Sequence, residues 1–264
     1  MHSKPCDFFA RMMAFRALTL EVLGNRNDGY HDICSIVQTL DLHDTITFTP
    51  SSDIELQCDQ PKIETSKNLV LKAAELLKKE TGCKQGARIS LHKKIPLSAG
   101  LGGGSSNAAT TLKNLNLMWG TDLSPEELCR LSTQIGSDVP FFLHGGTAII
   151  RGRGERVFPL PAANLKWIVI LTPNISLPLK TAYMYSNLTS AQHTKGLFTK
   201  KMETCIRSGK DIPTKFLFNT FDKLAIKSFP GLSDYRKTFL SLGTMGVHIT
   251  GSGPSLFSHI HQKE

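Results

Sequence analysis

The segment Ile95–Leu112 reads Ile-Pro-Leu-Ser-Ala-Gly-Leu-Gly-Gly-Gly-Ser-Ser-Asn-Ala-Ala-Thr-Thr-Leu and constrains the fold more than any other stretch. Four glycines fall within positions 100–104, and a run suited to a helix follows them. Because glycine has no Cβ, the chain can turn sharply here and bring several backbone N–H groups near one ligand. The N-terminus of the following helix adds unpaired N–H groups and the positive end of its dipole. The pattern predicts a phosphate-binding loop and therefore a nucleotide-binding protein.

The segment does not match either of two common phosphate-binding motifs. A Walker A loop ends in Gly-Lys-Ser/Thr, and the segment contains no lysine. A dinucleotide fingerprint requires an acidic residue at the end of a later strand. Asp122 lies at a suitable distance, but its context Thr-Asp-Leu-Ser-Pro-Glu-Glu indicates the start of a helix. A glycine turn that binds nothing is disfavoured because three consecutive glycines carry an entropic cost.

Composition and charge exclude several classes of protein. With 264 residues, 40% hydrophobic and 20% charged, the chain resembles an ordinary soluble protein of one large or two modest domains. The net charge of +9 comes from dispersed lysines and arginines without interleaved aromatic residues. This pattern argues against a nucleic-acid partner and is consistent with a surface that serves anionic small molecules.

The distribution of apolar residues and cysteines indicates the compartment. No apolar run approaches the length of a membrane span, and the N-terminus has an acidic residue and no long apolar core, unlike a signal peptide. The six cysteines are spread widely and never form Cys-x-x-Cys, which favours reduced thiols over disulfides or a zinc site. We therefore expect a cytoplasmic protein without a membrane partner, as a monomer or weak homodimer.

Periodicity and capping signals predict mixed strands and helices without regular βαβ alternation, which is typical of an α+β protein. Asn68 should cap a helix that stops near Gly82, and Ser106 or Asn107 should cap the helix after the glycines. Ser124-Pro125-Glu126-Glu127 is a capping box. The other predicted helices span 196–208, 213–227 and 231–242. The predicted strands are 18–23, 33–42, 44–48, 89–92, 147–150, 167–171, 247–250 and 256–260.

Three further clusters carry side chains suited to chemistry. Gly136-Ser137-Asp138-Val139-Pro140 places a carboxylate just beyond a helix end, Arg26-Asn27-Asp28-Gly29-Tyr30-His31 places two rings on a turn, and Thr250-Gly251-Ser252-Gly253-Pro254 is a second glycine turn. Each has an ordinary structural interpretation. Asp138 can be a turn residue, His31 a surface histidine and Thr250–Pro254 a hairpin turn.

Together these segments resemble the GHMP kinase superfamily, and within it the kinases of diphosphocytidyl-methylerythritol in the non-mevalonate isoprenoid pathway. The resemblance runs from about Leu18 to Ile260. It implies an α+β, two-domain GHMP kinase fold, with mixed sheets, helices packed on one side and the active site in the cleft between domains. We expect an N-terminal domain over 1–155 and a C-terminal domain over 156–264 that is apparently truncated at its end.

The resemblance also implies roles for individual residues. The ATP loop comprises Pro96, Leu97, Ser98, Ala99, Gly100, Leu101, Gly102, Gly103, Gly104, Ser105 and Ser106, with Asn68 and Lys93 near adenine. Ser106 is also a candidate ligand of Mg²⁺. Asp138 would deprotonate the attacking hydroxyl group. The substrate, a cytidine-diphosphate-linked methylerythritol, would be bound by Tyr30, His31, Thr181, Tyr185, Gly251 and Ser252.

The chain departs from this family pattern near its beginning. The family has Pro-Ala-Lys-x-Asn-Leu there, and its lysine and asparagine positions are occupied by Phe15 and Ala17. Arg16 should point to the opposite face of its strand and should not substitute for the lysine without a register change. The departure at positions 1–17 and the short C-terminus suggest an altered reading frame or an incomplete gene model. Two alternatives stay open: another GHMP small-molecule kinase, with mevalonate, homoserine or a sugar as acceptor, or a nucleotide-binding chain with impaired catalysis.

Overall fold

The computed structural model describes residues 8–164, 167–244 and 246–260. Its strands are β1 (Phe8–Asn25), β2 (His31–Ser51), β3 (Ile54–Cys58), β4 (Gly86–His92), β5 (Thr147–Gly152), β6 (Arg156–Leu160), β7 (Trp167–Leu171), β8 (Phe218–Asn219), β9 (His248–Ile249) and β10 (Leu256–Ile260). Its helices are α1 (Leu69–Thr81), α2 (Gly103–Met118), α3 (Pro125–Ile135), α4 (Val139–His144), α5 (Lys180–Ser186), α6 (Leu197–Arg207), α7 (Asp222–Ser228) and α8 (Leu232–Ser241).

The chain forms two compact units that interleave along the sequence. The first unit takes in Met1–Ala14, Leu40–Pro96 and Gly102–Gly145, and the second takes in Phe15–Thr39, Leu97–Leu101 and Gly146–Glu264. The long strands β1 and β2 therefore contribute residues to both units. The division into domains at residues 155 and 156 stays a prediction.

The first unit combines a small sheet with four helices. Residues Thr45–Ser51 of β2 pair antiparallel with β4, and β3 runs parallel to β4. Alternate strand residues such as Ile46, Phe48 and Ile89 are buried, as the period of a strand with one covered face requires. They share one core with helical residues that recur at three- and four-residue spacing: Val70, Ala73, Ala74, Leu77, Ala108, Leu112, Leu115, Leu128 and Leu131.

Local capping signals set the ends of α1 and α3 as the sequence predicted. The Asn68 side chain accepts a hydrogen bond from the Val70 N–H at 2.9 Å, and Gly82 ends α1 in the left-handed conformation. Ser124 and Glu127 form the reciprocal capping box at the start of α3. Both predictions are confirmed because the caps depend only on groups a few residues apart.

The start of α2 differs from the prediction. The helix begins at Gly103 with Gly102 as its N-cap, rather than at Ser106 or Asn107. A Cβ added at Gly103 would lie 3.0 Å from Ile95 Cγ2 and 3.1 Å from Lys93 Nζ. Close packing therefore favours glycine at this position of the first turn. Tertiary contacts here override the low helix propensity of glycine.

The predicted helix over 213–227 is also wrong. The segment holds a 3₁₀ turn (Thr214–Phe216), the short strand β8 and then α7. Asn219 explains the interruption, because its Nδ2 donates to Ile249 O at 3.0 Å and to Gly251 O at 2.9 Å. These bonds fix the segment against a distant part of the chain before α7 begins.

The second unit contains strand pairs of both directions. Thr19 and Leu20 of β1 pair parallel with β8, and β2 pairs antiparallel with β5, which pairs antiparallel with β6. The three strands β7, β10 and β9 form a separate antiparallel sheet. The core of the second unit contains apolar side chains including Leu18, Ile36, Ile149, Met202, Ile206 and Phe257.

Two further observations concern the helices and the cysteines. Within the described residues, no helix is both long and apolar enough to cross a bilayer. The five cysteines that the structure describes are free thiols, and Cys6 lies outside the described residues.

Candidate active site

The first half of the glycine loop, residues 97–101, has an unusual backbone. Ser98 adopts a φ of 54° and Gly100 a φ of 80°, both in the left-handed region. A Cβ added at Gly100 would lie 2.4 Å from Thr250 O, so only glycine fits between this loop and the second glycine turn. Both segments belong to the second unit. The two glycine-rich turns that the sequence identified are therefore in contact.

Three consecutive carbonyl groups of this half-loop accept hydrogen bonds. The donors are Lys180 Nζ to Ser98 O at 2.9 Å, Ser255 N to Ala99 O at 3.3 Å and Thr250 Oγ1 to Gly100 O at 3.2 Å. In a trans peptide unit, the next residue's N–H points opposite to the carbonyl. The N–H groups of Ala99, Gly100 and Leu101 therefore point away from these donors. Backbone amides of a glycine-rich loop can bind an anion.

The second half of the loop is the first turn of α2. Ser106 N donates to Gly102 O at 2.9 Å and makes the first intrahelical bond. The N–H groups of Gly103, Gly104 and Ser105 precede it and have no partner within the helix. They point out of the helix N-terminus, where the dipole favours negative charge. The sequence predicted a helix N-terminus after the loop, and the structure places it earlier, with Gly103 and Gly104 in the first turn.

A buried ion pair fixes the approach to α2 within the first unit. Lys93 Nζ bonds to the carboxylate of Asp44, whose other oxygen accepts from the N–H groups of Lys94 at 2.7 Å and Ile95 at 2.8 Å. The Asn107 amide, oriented by this network, donates to Gly103 O at 2.7 Å and to Asp44 Oδ2 at 3.0 Å. A buried charge is tolerated only when it is paired and hydrogen-bonded, as Asp44 is.

Three residues assigned to the nucleotide lie in this unit. The Asn68 side chain caps α1 and also donates to Ile63 O at 2.8 Å. The Lys93 side chain is 4% exposed and engaged by Asp44. Ser106 is buried in the first turn of α2. Their contacts with adenine and Mg²⁺ stay predictions.

Asp138 stands at the N-cap position of α4. The turn before it is closed by the Val139 N–H, which donates to Gly136 O at 3.2 Å. The Pro140 ring at the start of the helix and the buried side chains of Val139 and Phe141 anchor the segment. The carboxylate is thus carried on a rigid turn in the first unit, and its catalytic role stays a prediction.

The aromatic turn between β1 and β2 lies in the second unit and is stiffened by ionic contacts. Arg26 pairs with Asp28 at 2.9 Å, and the same carboxylate accepts from Tyr30 N at 3.1 Å. Gly29 has a φ of 80° at the tip. The hydrogen bond with Arg26 lowers the pKa of Asp28. The turn presents the Tyr30 ring half exposed, with the guanidinium of Arg153 4.7 Å from its centroid.

His31 and Tyr185 lie together, as the sequence-based assignment to one substrate requires. Their ring centroids are 4.9 Å apart at 37°, which is the contact distance of an aromatic pair. Because the two rings are in direct contact, a base cannot lie between them, and the contact of His31 with a substrate base stays a prediction. Burial, and then the charge of His193, lowers the pKa of His31, which keeps the imidazole neutral.

Thr181 and Ser252 are also brought together. Their hydroxyl groups are 3.2 Å apart, which links the start of α5 to the second glycine turn. The neighbouring Gly251 has a φ of 55°, and a Cβ added there would lie 3.1 Å from Gly100 O. Substrate contacts of these three residues stay predictions.

The positions that depart from the family pattern border the phosphate loop. The Phe15 N–H donates to Leu101 O at 3.0 Å, and the Ala17 N–H donates to Thr250 Oγ1 at 3.4 Å. Arg16 turns to the other face, where its Nη1 lies 3.3 Å from His259 Nε2. The prediction that Arg16 cannot replace a lysine at position 15 is consistent with this orientation.

Sequence reasoning missed four residues that hold candidate segments in place within their own units. Asp44 anchors the approach to α2, Lys180 and Thr250 bond the first half of the loop, and Arg153 contacts Tyr30. Only Thr250 lay within a motif that the sequence identified. Asp44 and Lys180 gave no local signal, because their partners are 49 and 82 positions away.

Comparison with known proteins agrees with this geometry. The family model "GHMP kinases N terminal domain" matches residues 68–146. A 4-diphosphocytidyl-2-C-methyl-D-erythritol kinase of Dehalococcoides mccartyi is 42% identical over 93% of this chain and 87% of its own length. The enzyme of the same name from Pelotomaculum thermopropionicum is 40% identical over 91% of this chain and 84% of its own.

Solved structures place the fold in the same group. A crystal structure of 4-(cytidine 5'-diphospho)-2C-methyl-D-erythritol kinase has a TM-score of 0.79 at 31% identity, covering 96% of this chain and 90% of that one. A homoserine kinase from Cytophaga hutchinsonii has a TM-score of 0.70 at 19% identity over 100% and 88%, which shows the shared fold alone. The predicted α+β GHMP kinase fold is confirmed, and the chain belongs to the 4-diphosphocytidyl-2-C-methyl-D-erythritol kinase family.

Proposed function

We propose that this kinase transfers the γ-phosphoryl group of ATP to the 2-hydroxyl of 4-diphosphocytidyl-2-C-methyl-D-erythritol, a step in isoprenoid precursor synthesis. The observation that carries the proposal is the arrangement of the glycine loop. Its carbonyls at 98–100 accept hydrogen bonds, so each N–H group of 99–101 points away from the donor on the preceding carbonyl. Backbone amides of a glycine-rich loop and a helix N-terminus are groups that bind a polyphosphate.

The loop accounts for nucleotide binding and charge stabilisation. Phosphoryl transfer depends mainly on positioning and on stabilising charge on the transferred group. The amides of the loop and of the first turn of α2 supply both without a Walker lysine. Mg²⁺ prefers oxygen ligands and binds largely through substrate phosphates, so the hydroxyl of Ser106 fits it as one protein ligand. The metal, when bound, neutralises phosphate charge.

Asp138 is proposed as the general base. Its carboxylate would accept the proton of the acceptor hydroxyl as that oxygen attacks the γ-phosphorus. The rigid turn before α4 suits this role, because a base must be held within hydrogen-bond distance of the proton that it takes. A lysine at position 15 is not available to assist, so the amides must stabilise more of the charge.

The aromatic turn is proposed to select the cytosine of the acceptor. Tyr30 offers an exposed ring face for stacking, and neutral His31 offers a nitrogen that can accept or donate at the base edge. Tyr185 supports the His31 ring and, in our proposal, covers the second face of the base. Thr181, Gly251 and Ser252 would contact the remainder of the acceptor.

The alternative functions are not favoured by the comparisons. Relatives at 36–42% identity are named as kinases of the diphosphocytidyl acceptor, whereas the mevalonate and homoserine kinase structures are 14–19% identical. The hypothesis of impaired catalysis can be tested at Phe15 and Ala17, which replace the lysine and asparagine of the family pattern. Reverting both, with Phe15→Lys and Ala17→Asn, would raise turnover if the missing ammonium limits the rate.

A coupled assay of ADP release tests the proposal. Purified protein should turn over with ATP, Mg²⁺ and the cytidylylated methylerythritol, and should be inactive with mevalonate or homoserine. His31→Ala should raise the acceptor KM and leave the ATP KM unchanged, while exposed Lys237→Met serves as a neutral control. Equal turnover with all acceptors would refute the assignment. We further propose that the enzyme acts in the cytoplasm as a monomer or weak homodimer.

A further inference from the structure

Lys180, the first residue of α5, connects two main-chain turns of the second unit. Its Nζ donates to Ser98 O at 2.9 Å and to Gly253 O at 2.5 Å. A lysine ammonium can donate three hydrogen bonds and accept none, and bonds from a charged donor are stronger than neutral ones. The side chain therefore joins the phosphate loop directly to the second glycine turn.

The Ser98 backbone needs such a bond. A residue with a Cβ is disfavoured at a φ of 54°, and such conformations persist only where the surroundings fix them. The carbonyl that follows this strained Cα is the one that Lys180 holds. If the ammonium is removed, the peptide unit between Ser98 and Ala99 can rotate, and the Ala99 N–H loses its fixed direction.

The backbone that carries Lys180 is itself held. One residue further on, the Thr181 hydroxyl lies 3.2 Å from that of Ser252. On the next turn of α5, Met184 is buried and the Tyr185 ring packs edge-on against Phe221 with centroids 4.9 Å apart. The ammonium thus extends from a fixed helix rather than from a mobile loop, as a positioning group requires.

From this geometry we infer that Lys180 is a positioning residue that orients the Ala99 amide of the glycine loop for the nucleotide phosphates. The inference rests on the proposed function, since it assigns Lys180 to the nucleotide half of the same reaction. It acts through the main chain of the loop and is distinct from the residues assigned to the acceptor. Its loss should weaken nucleotide binding selectively.

The test compares Lys180→Met with Lys180→Arg and with the control Lys237→Met, whose side chain is 79% exposed on α8. Calorimetry measures the Kd of a non-hydrolysable ATP analogue and, separately, of the cytidylylated acceptor. We expect the analogue Kd to rise about tenfold in Lys180→Met, the effect of a lost charge-assisted hydrogen bond. Acceptor Kd should stay unchanged, and Lys180→Arg should recover most of the nucleotide affinity because it keeps the charge.

Hydrogen exchange supplies a local readout. Peptides covering residues 96–102 should exchange faster in Lys180→Met, while peptides covering α8, elsewhere in the second unit, should exchange as in the wild type. A purely structural role would instead accelerate exchange throughout the second unit and raise both dissociation constants. That result overturns the inference, as does an unchanged analogue Kd. If Lys180→Met does not fold, Lys180→Gln replaces it, and failure of both to fold also overturns the inference.

The two proposals fail separately. A wild-type chain that binds the ATP analogue but does not phosphorylate the cytidylylated acceptor defeats the proposed function and leaves the role of Lys180 open to the same binding test. A wild-type chain with full turnover whose Lys180→Met variant binds nucleotide normally defeats only the role of Lys180.

Discussion

Replacing Gly100 by alanine should disrupt the glycine loop. The residue has a φ of 80°, and the added Cβ would lie 2.4 Å from Thr250 O and 3.0 Å from Gly253 O. The first distance is roughly 1 Å short of van der Waals contact, so the loop or the facing turn must move. Both neighbours are backbone atoms, which cannot rotate out of the way as a side chain can.

The cost follows from two contributions. Placing alanine in the left-handed region costs about 1–2 kcal/mol. Moving the loop away from the 250–255 turn strains or breaks the hydrogen bonds at Ala99 O and Gly100 O, each of which contributes about 1 kcal/mol. We therefore expect a loss of about 3–4 kcal/mol in the free energy of unfolding. The ATP KM should rise at least about tenfold, because the amides of 99–101 move with the loop.

Gly243→Ala is the matched control. Gly243 has a φ of 82°, and no described atom lies within 4 Å of a Cβ added there. It carries the same backbone strain without the collision, so it should lose only about 1–2 kcal/mol and keep its nucleotide affinity. Urea denaturation and nucleotide titration of both variants provide the comparison. Equal losses of stability, or a Gly100→Ala variant with unaltered ATP affinity, would refute the packing argument.

Three further changes test other parts of the site. Asp138→Asn should lower kcat by about 10²–10⁴-fold and leave the ATP analogue Kd nearly unchanged in steady-state and binding assays; wild-type turnover would remove it from the mechanism. Arg16→Met should raise the melting temperature near neutral pH, since burial lowers the pKa of Arg16 to about 9 and, among the described atoms, its Nε has no partner. Below that pKa the buried arginine is charged and opposes folding, so the gain in melting temperature should shrink as the pH rises above it. Arg11 is exposed on the same strand, and Arg11→Met should show no gain in melting temperature at any pH. His193→Gln should raise the pKa of His31 and shift the acid limb of the pH profile of the acceptor KM to higher pH. An unmoved limb would contradict the effect of His193 on His31.

Local chemistry made much of this protein predictable from its sequence. The caps of α1 and α3 depend on side chains and N–H groups two or three residues apart, so Asn68 and Ser124 identified them correctly. The turn at residues 26–31 was predicted for the same reason, since Asp28 bonds to its own neighbours. The ordered motifs together also indicated the kinase family that the comparisons confirm.

Predictions failed where a distant contact outweighed a local preference. A glycine is a poor helix residue, yet Gly103 begins α2 because only its small size fits against Ile95 and Lys93. The segment before α7 reads as a helix, yet Asn219 is bonded to carbonyls about thirty positions further along the chain, at Ile249 and Gly251. Such contacts leave no periodic pattern in the sequence.

The sequence by itself determined that a glycine loop precedes a helix, that a carboxylate follows α3 and that two rings lie on one turn. Each of these features depends only on residues that are adjacent in the chain. Only the tertiary structure decided that Lys180 holds Ser98, that Asp44 is buried beneath the start of α2 and that Arg16 faces His259. The physical reason is that the direction of a backbone amide depends on what its carbonyl bonds to, and here those partners come from remote parts of the chain.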